Sequence, residues 1–142
     1  MNVVRSICAA GLLMLCAGGA AAGGPTPVDT THPSALGVWR NPKNSVHLEI
    51  HSCGEAACGT VIWSTPKADA AARKGSGKPI IGQQLLRDFV WDNRGYYKGK
   101  VYVPDLNMTF TGTAEAVGDT LHARGCLLGR LICKSQTWTR VS

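Results

Sequence analysis

The sequence has no G-x-S-x-G elbow, no H-E-x-x-H helix, no Walker loop and no dinucleotide glycine fingerprint. That removes the motif-bearing serine hydrolases, zinc proteases, P-loop enzymes and Rossmann dehydrogenases from consideration. It has no long stretch of helical periodicity, which leaves helical bundles and α/β folds without support. No internal repeat is visible, so solenoids and propellers are excluded too. Acidic residues are few, nine against fifteen Lys and Arg, and the formal net charge is +6. The basic excess is mild and scattered, which argues for a solvated surface and against a nucleic-acid partner.

What is present begins with an export pattern. Arg5, an apolar run from Ile7 to Cys16 and a small-residue stretch ending Ala20-Ala21-Ala22-Gly23 match a secretory signal peptide, residues 1–22, with cleavage after Ala22. The apolar run is shorter than the roughly 20 residues a membrane span needs, so no stable membrane insertion is expected after cleavage. A lipoprotein reading through Cys16 is weaker because the bulky Leu15 precedes it. The mature chain is expected to be periplasmic or secreted, and monomeric. Arg5 leaves with the signal, so the mature balance is fourteen Lys and Arg against nine acids.

Cys8 and Cys16 leave as well, and four of the six cysteines remain. An even number in an exported chain favours disulfides. Three connectivities are possible, and the short spacings at what read as hairpin tips favour Cys53 with Cys58 and Cys126 with Cys133. A zinc site built on the same four residues is the competing reading, disfavoured by an oxidising compartment.

Residues 23–35 carry three prolines and little apolar content and read as a flexible leader. The domain spans 36–142. Val46, Leu48 and Ile50 alternate with His47, Glu49 and His51, a period of two that marks a half-buried strand. A turn at Gly54-Glu55-Ala56-Ala57 joins it to a strand through Gly59 to Trp63, forming a hairpin. From Thr65 to Pro79 the composition shifts to Ala, Lys, Arg, Asp and Gly, with one or two helical turns over Ala68 to Arg73. This insertion is expected to be mobile or functional. Ile80 and Ile81 then pack back onto the domain. Further strands are expected at Leu85 to Trp91, Tyr96 to Val103, Met108 to Ala116, Thr120 to Cys126 and Cys133 to Val141, with turn residues between them. With Gly37 to Arg40 as the first, about eight short strands predict an all-β fold, a small antiparallel up-and-down barrel with one short helical or irregular insertion.

Gly37-Val38-Trp39-Arg40, Gly59-Thr60-Val61-Ile62-Trp63, Gly99-Lys100-Val101-Tyr102-Val103-Pro104-Asp105 and Gln136-Thr137-Trp138-Thr139-Arg140 together resemble the bacterial family called domain of unknown function 2147, over about Leu36 to Val141. That family is largely of exported proteins without an assigned activity. The resemblance therefore implies architecture and location, and transfers no catalytic residue. The chain departs from the family pattern after Pro104, where Asp105-Leu106-Asn107-Met108 replaces a more polar, Gly-containing turn, and its cysteines look like a subgroup feature. The architecture is also similar to that of lipocalin-like barrels, which begin with Gly-x-Trp and set a late-strand Arg over the indole. That likeness implies a structural closure by Gly37, Trp39 and Arg140.

Candidates for chemistry are few. His47, Glu49 and His51 share one strand face and form the candidate metal set, against the plainer reading of an exposed polar face. Trp63, Trp91, Tyr96, Tyr102 and Trp138 are the candidate ligand-binding aromatics, against a packed core. Tyr96, Lys98, Lys100 and Tyr102 line one side of a strand that can meet a glycan or anionic polymer, against a solvated face with edge-protecting lysines. Asp88, Asp92, Asp105 and Asp119 sit in or near turns, where they cap backbone donors. No cofactor and no catalytic residue is assigned. The expected function is an exported binding or interaction domain for a small apolar ligand or an envelope component. The alternative is an envelope hydrolase or an inhibitor of an envelope enzyme.

Overall fold

The computed structural model describes residues 34–127 and 131–142. The expected signal peptide and all but the last two residues of the expected leader lie outside them. Eight strands run in chain order: β1 Gly37–Arg40, β2 Val46–Cys53, β3 Ala56–Ser64, β4 Gln84–Asp92, β5 Tyr96–Val103, β6 Met108–Val117, β7 Thr120–Leu127 and β8 Ile132–Arg140. They form a closed up-and-down barrel in which every neighbour is antiparallel, and β1 closes on β8 through Trp39 opposite Arg140 and Arg40 opposite Thr139. Closure satisfies sheet edges that an open meander would expose. The β1–β2, β3–β4, β5–β6 and β7–β8 connections gather at one end, called the helix end below. The β2–β3, β4–β5 and β6–β7 turns gather at the other, the tip end, with both chain ends of the barrel.

The core follows from strand alternation. Trp39, Leu48, Val61 and Leu121 are fully buried, joined by Val46, Ile50, Leu86, Phe89, Ala114 and Ala116. Across β5, β6 and β7, Gly99 faces Gly112 and Gly112 faces Gly125. A Cβ on Gly99 would stand 2.5 Å from the Phe89 ring and 2.7 Å from the Arg87 carbonyl oxygen, and one on Gly112 3.4 Å from the same ring, so these two glycines make the seat for Phe89 inside the barrel.

Phe89 reaches that seat through a feature that simple alternation misses. Leu86 and Phe89 are both buried although three apart, because the β4–β5 register shifts between Arg87 and Val90 and Asp88 takes a left-handed φ of 53°. A bulge of this kind turns the strand and resets its faces. Asp88 is thus inside a strand rather than in or near a turn. Asp92, Asp105 and Asp119 do lie at turns, and Asp92 accepts the Arg94 backbone N–H at 2.9 Å.

The insertion is more ordered than its composition suggests. Helix α1 spans Pro66–Ser76, three turns instead of one or two. Thr65 caps it by accepting the Ala68 N–H at 3.3 Å, Pro66 stands in its first turn, and Gly77 ends it in the left-handed region at φ 75°. Asp69 receives both Arg73 Nε at 2.7 Å and the Ile80 N–H at 2.8 Å. Those hydrogen bonds, Arg73 first, hold its carboxyl below the usual range. The contact is therefore complete above the ordinary carboxylate range and lost as pH falls through the lowered value. Ala72 and Ile80 are buried, while Ile81 stays exposed.

Gly75 fixes α1 to the barrel, since a Cβ there would run into the Pro104 and Asp105 carbonyls of the β5–β6 turn. Helix propensity alone favours alanine over glycine by about 1 kcal/mol. Backbone overlap reverses that sign, and Gly75→Ala is expected to cost about 1–3 kcal/mol. A thermal melt decides between them, because a raised melting temperature would mean that α1 does not press on this turn.

β1 covers only the last two residues of β8. Among the described residues no strand pairs with the remaining β8 edge. Lys134 faces Gly125 there, on the inner side, and an inward charge on such an edge discourages strand addition.

Candidate functional site

The outer face of β4 to β8 carries a run of neighbouring polar groups. Register places Arg87 beside Lys100 and Lys100 beside Thr111, and in the next row Val90, Lys98, Thr113, Arg124 and Ser135 follow one another across five strands. Neighbouring strands lie about 4.8 Å apart and same-face residues about 6.5–7 Å apart along a strand. Four cations, Arg87, Lys98, Lys100 and Arg124, therefore share one compact patch with the Thr111 and Thr113 hydroxyls set among them. Two shallow recesses run along it. One of about 510 Å³ is bordered by Asp88, Val90, Lys98, Lys100 and Thr111 among others. The second, of about 290 Å³, is bordered by Tyr96, Thr113, Glu115, His122 and Arg124 among others.

Local contacts set two of the cations. The Arg87 guanidinium lies 4.7 Å from the Tyr102 ring centroid and its Nε donates to the Gln84 carbonyl at 3.1 Å. Lys100 Nζ donates to Thr111 Oγ1 at 3.3 Å, and the Tyr102 hydroxyl donates to Asn107 Oδ1 at 2.8 Å. Among the described residues, no ion pair engages Lys98, Lys100 or Arg124. Carboxylates border the same recesses, Asp88 and Asp92 the larger and Glu115 the smaller; Asp92 lies 3.9 Å from Arg94 and Glu115 faces His122. Arg94 is held above its usual value by its hydrogen bond and charge interaction with Tyr96, then by Asp92. The four cations outnumber these three carboxylates and can meet anionic groups, while the Thr111 and Thr113 hydroxyls can bond hydroxyl-rich neighbours.

The candidate aromatics do not converge on one cavity. Trp63 is 41 % exposed on the outer face of β3. Trp91 packs edge to face on Tyr97 at 4.9 Å and borders the larger recess. Trp138 packs against the core, whereas Tyr96 and Tyr102 belong to the outer face of β5. Sequence reasoning found the Lys98 and Lys100 side of β5 and missed Arg87 and Arg124, which join it only through register.

His47, Glu49 and His51 share an outer face, as alternation requires, yet their rings are turned to other partners. His47 stacks on Trp63 with centroids 4.5 Å apart and its Nε2–H donates to Asn44 Oδ1 at 2.8 Å. His51 Nδ1–H donates to the Ser52 carbonyl at 3.1 Å, and its Nε2 lies 3.2 Å from the Thr60 hydroxyl. Among the described residues no three His, Cys, Asp or Glu side chains are grouped to hold a metal ion.

The barrel closure is structural. Arg140 lies over the Trp39 ring at 4.1 Å, donates to the Leu36 carbonyl at 2.7 Å and the Ser34 carbonyl at 3.1 Å, and pairs with Asp119 at 3.3 Å. Gly37 has φ 125°, and a Cβ there would stand 2.8 Å from Arg140 Nη1, so its bareness gives the guanidinium room. Both expected disulfides are present, Cys53–Cys58 with Cα atoms 5.8 Å apart and Cys126–Cys133 at 4.1 Å. Two such bonds belong to an oxidising, extracellular environment. No helix among the described residues is long and apolar enough to cross a membrane.

No curated protein and no solved structure matches the chain. A family described as an uncharacterized protein conserved in bacteria matches residues 37–140, which run from the first residue of β1 to the last of β8. The match therefore covers the whole lipocalin-like barrel, and the chain belongs to that family, domain of unknown function 2147.

Proposed function

We propose that this protein is an exported binding domain, periplasmic or secreted after removal of residues 1–22, that holds an extended anionic polymer of the cell envelope along the outer face of β4 to β8. The signal-peptide pattern of Arg5, Ile7 to Cys16 and Ala20-Ala21-Ala22 supports export, as do the two disulfides. The observation that carries the reading is the row-on-row placement of Lys98, Lys100 and Arg124 along two recesses, with Arg87 beside Lys100 in register. Shallow recesses on a sheet suit a chain that lies across them. A small apolar ligand would need the interior instead, where Trp39, Leu48, Val61 and Leu121 are fully buried.

The reading is tested with dextran sulfate as the polyanion and neutral dextran as control. Wild-type protein is expected to bind dextran sulfate in a salt-sensitive way and to ignore dextran. The triple variant Lys98→Ala, Lys100→Ala, Arg124→Ala is expected to bind about tenfold more weakly, since each exposed cation contributes up to about 1 kcal/mol. Affinity unchanged in the triple variant, or no binding by the wild type at low salt, rejects this face as the site.

A further inference from the structure

From the helix end of the barrel we infer a second surface, one that docks on an anionic lipid bilayer. Seven of the ten exposed large apolar side chains among the described residues lie at or next to this end: Ile62, Trp63, Ile81, Leu106, Met108, Leu131 and Ile132. Leu131 is 84 % exposed, Leu106 57 % and Ile132 54 %, and they sit at the ends of adjacent hairpins, β5–β6 and β7–β8. Apolar side chains concentrated at one pole of a small barrel mark an interaction surface.

Charge selects the partner. Lys43 in the β1–β2 turn, and Lys67, Arg73, Lys74 and Lys78 on or just beyond α1, are all exposed at the same end. Asp69, already paired with Arg73, and Asp105 are the carboxylates beside them, so cations are in excess. Lys74 adjoins the hairpin that carries Leu106, because its neighbour Gly75 rests on the Pro104 and Asp105 backbone. At the tip end the balance inverts, with Glu55, Asp92 and Asp119 against Arg94 and Arg140. Apolar side chains that share one end with exposed lysines match the interface of a membrane with anionic headgroups, where the chains enter the headgroup boundary and the cations meet phosphate. A second copy joined through the same end would bring two cation-rich surfaces together, which charge repulsion opposes.

Co-sedimentation with vesicles of phosphatidylglycerol and phosphatidylethanolamine, against vesicles of phosphatidylcholine alone, tests this surface. The wild type is expected to sediment with the anionic vesicles and to be released by salt. Leu131→Ser with Ile132→Ser is expected to weaken binding by up to about a hundredfold, since each apolar side chain withdrawn from water is worth roughly a decade. Lys74→Glu with Lys78→Glu is expected to weaken it independently. The triple variant at Lys98, Lys100 and Arg124 is expected to retain vesicle binding, so the two surfaces can fail separately. All substituted positions are exposed, and matching melting temperatures verify that the variants fold. Absence of wild-type binding overturns the inference. So does loss of binding only in the triple variant, full binding by the Leu131/Ile132 variant, or a dimer in sedimentation velocity that this variant disperses.

Discussion

Trp39→Ala is expected to lower the melting temperature by about 15–20 °C. The indole is fully buried, and truncating a buried tryptophan costs about 4–5 kcal/mol in transfer and cavity terms. In a domain of this size each kcal/mol moves the midpoint by roughly 4 °C. Two further contacts disappear with the ring. Trp39 Nε1 donates to the Ala35 carbonyl at 2.8 Å, and Arg140 loses the aromatic face 4.1 Å beneath it. Trp39→Phe keeps a ring under the guanidinium and loses the donor, so its cost is expected to include about 1 kcal/mol for that hydrogen bond. A double-mutant cycle with Arg140→Ala isolates the stacking, for which about 0.5–2 kcal/mol of coupling is expected. Calorimetry on the wild type, the two Trp39 variants, Arg140→Ala and the double variant is the measurement. A Trp39→Ala midpoint within a few degrees of wild type would remove this residue as the keystone of the closure.

The closure pair was legible in the sequence because its signal is short and lies at the two ends of the barrel, Gly37-Val38-Trp39 and Trp138-Thr139-Arg140. The strands were legible for a different reason. β2 and β5 begin and run as alternation predicts, since one face is buried in β2 and half-buried in β5, and a one-residue slip would expose it. Alternation fails where a bulge interrupts it. Two occur at points that matter, one at Asp88 that aims Phe89 inward and one beside Leu48 near the successive exposed residues Ile62 and Trp63. The full length of α1 depended on caps at Thr65 and Gly77 and on a seat against Pro104 that lies across the barrel in space. The outer basic patch was half legible. Lys98 and Lys100 announce themselves within one strand, whereas Arg87 and Arg124 become their neighbours only through pairing with β4 and, through β6, with β7. Periodicity reports which face a residue takes, and register decides which strands share that face.

Removing both disulfides is expected to cost about 4–5 kcal/mol, an effect as large as the loss of Trp39. Each bond closes a short loop, with a sequence separation of 5 for Cys53–Cys58 and 7 for Cys126–Cys133. On the chain-entropy account such loops are worth about 2 and 2.5 kcal/mol, chiefly by restricting the unfolded chain. The two contributions are expected to add. Cys53–Cys58 staples the β2–β3 hairpin at the tip end and Cys126–Cys133 staples β7–β8 at the helix end, so they share no strand and bracket different turns. Serine pairs at each site, and the fourfold variant, compared by urea denaturation report this directly. Each pair should lower the midpoint, and the fourfold variant should lose the sum. The Cys126–Cys133 pair carries a further consequence, because these residues face each other in register just below Leu131 and Ile132. Its loss should loosen that hairpin locally and raise hydrogen exchange at its end before the rest of the barrel responds. Midpoints unchanged by the fourfold substitution would show that the barrel holds its hairpins without covalent help.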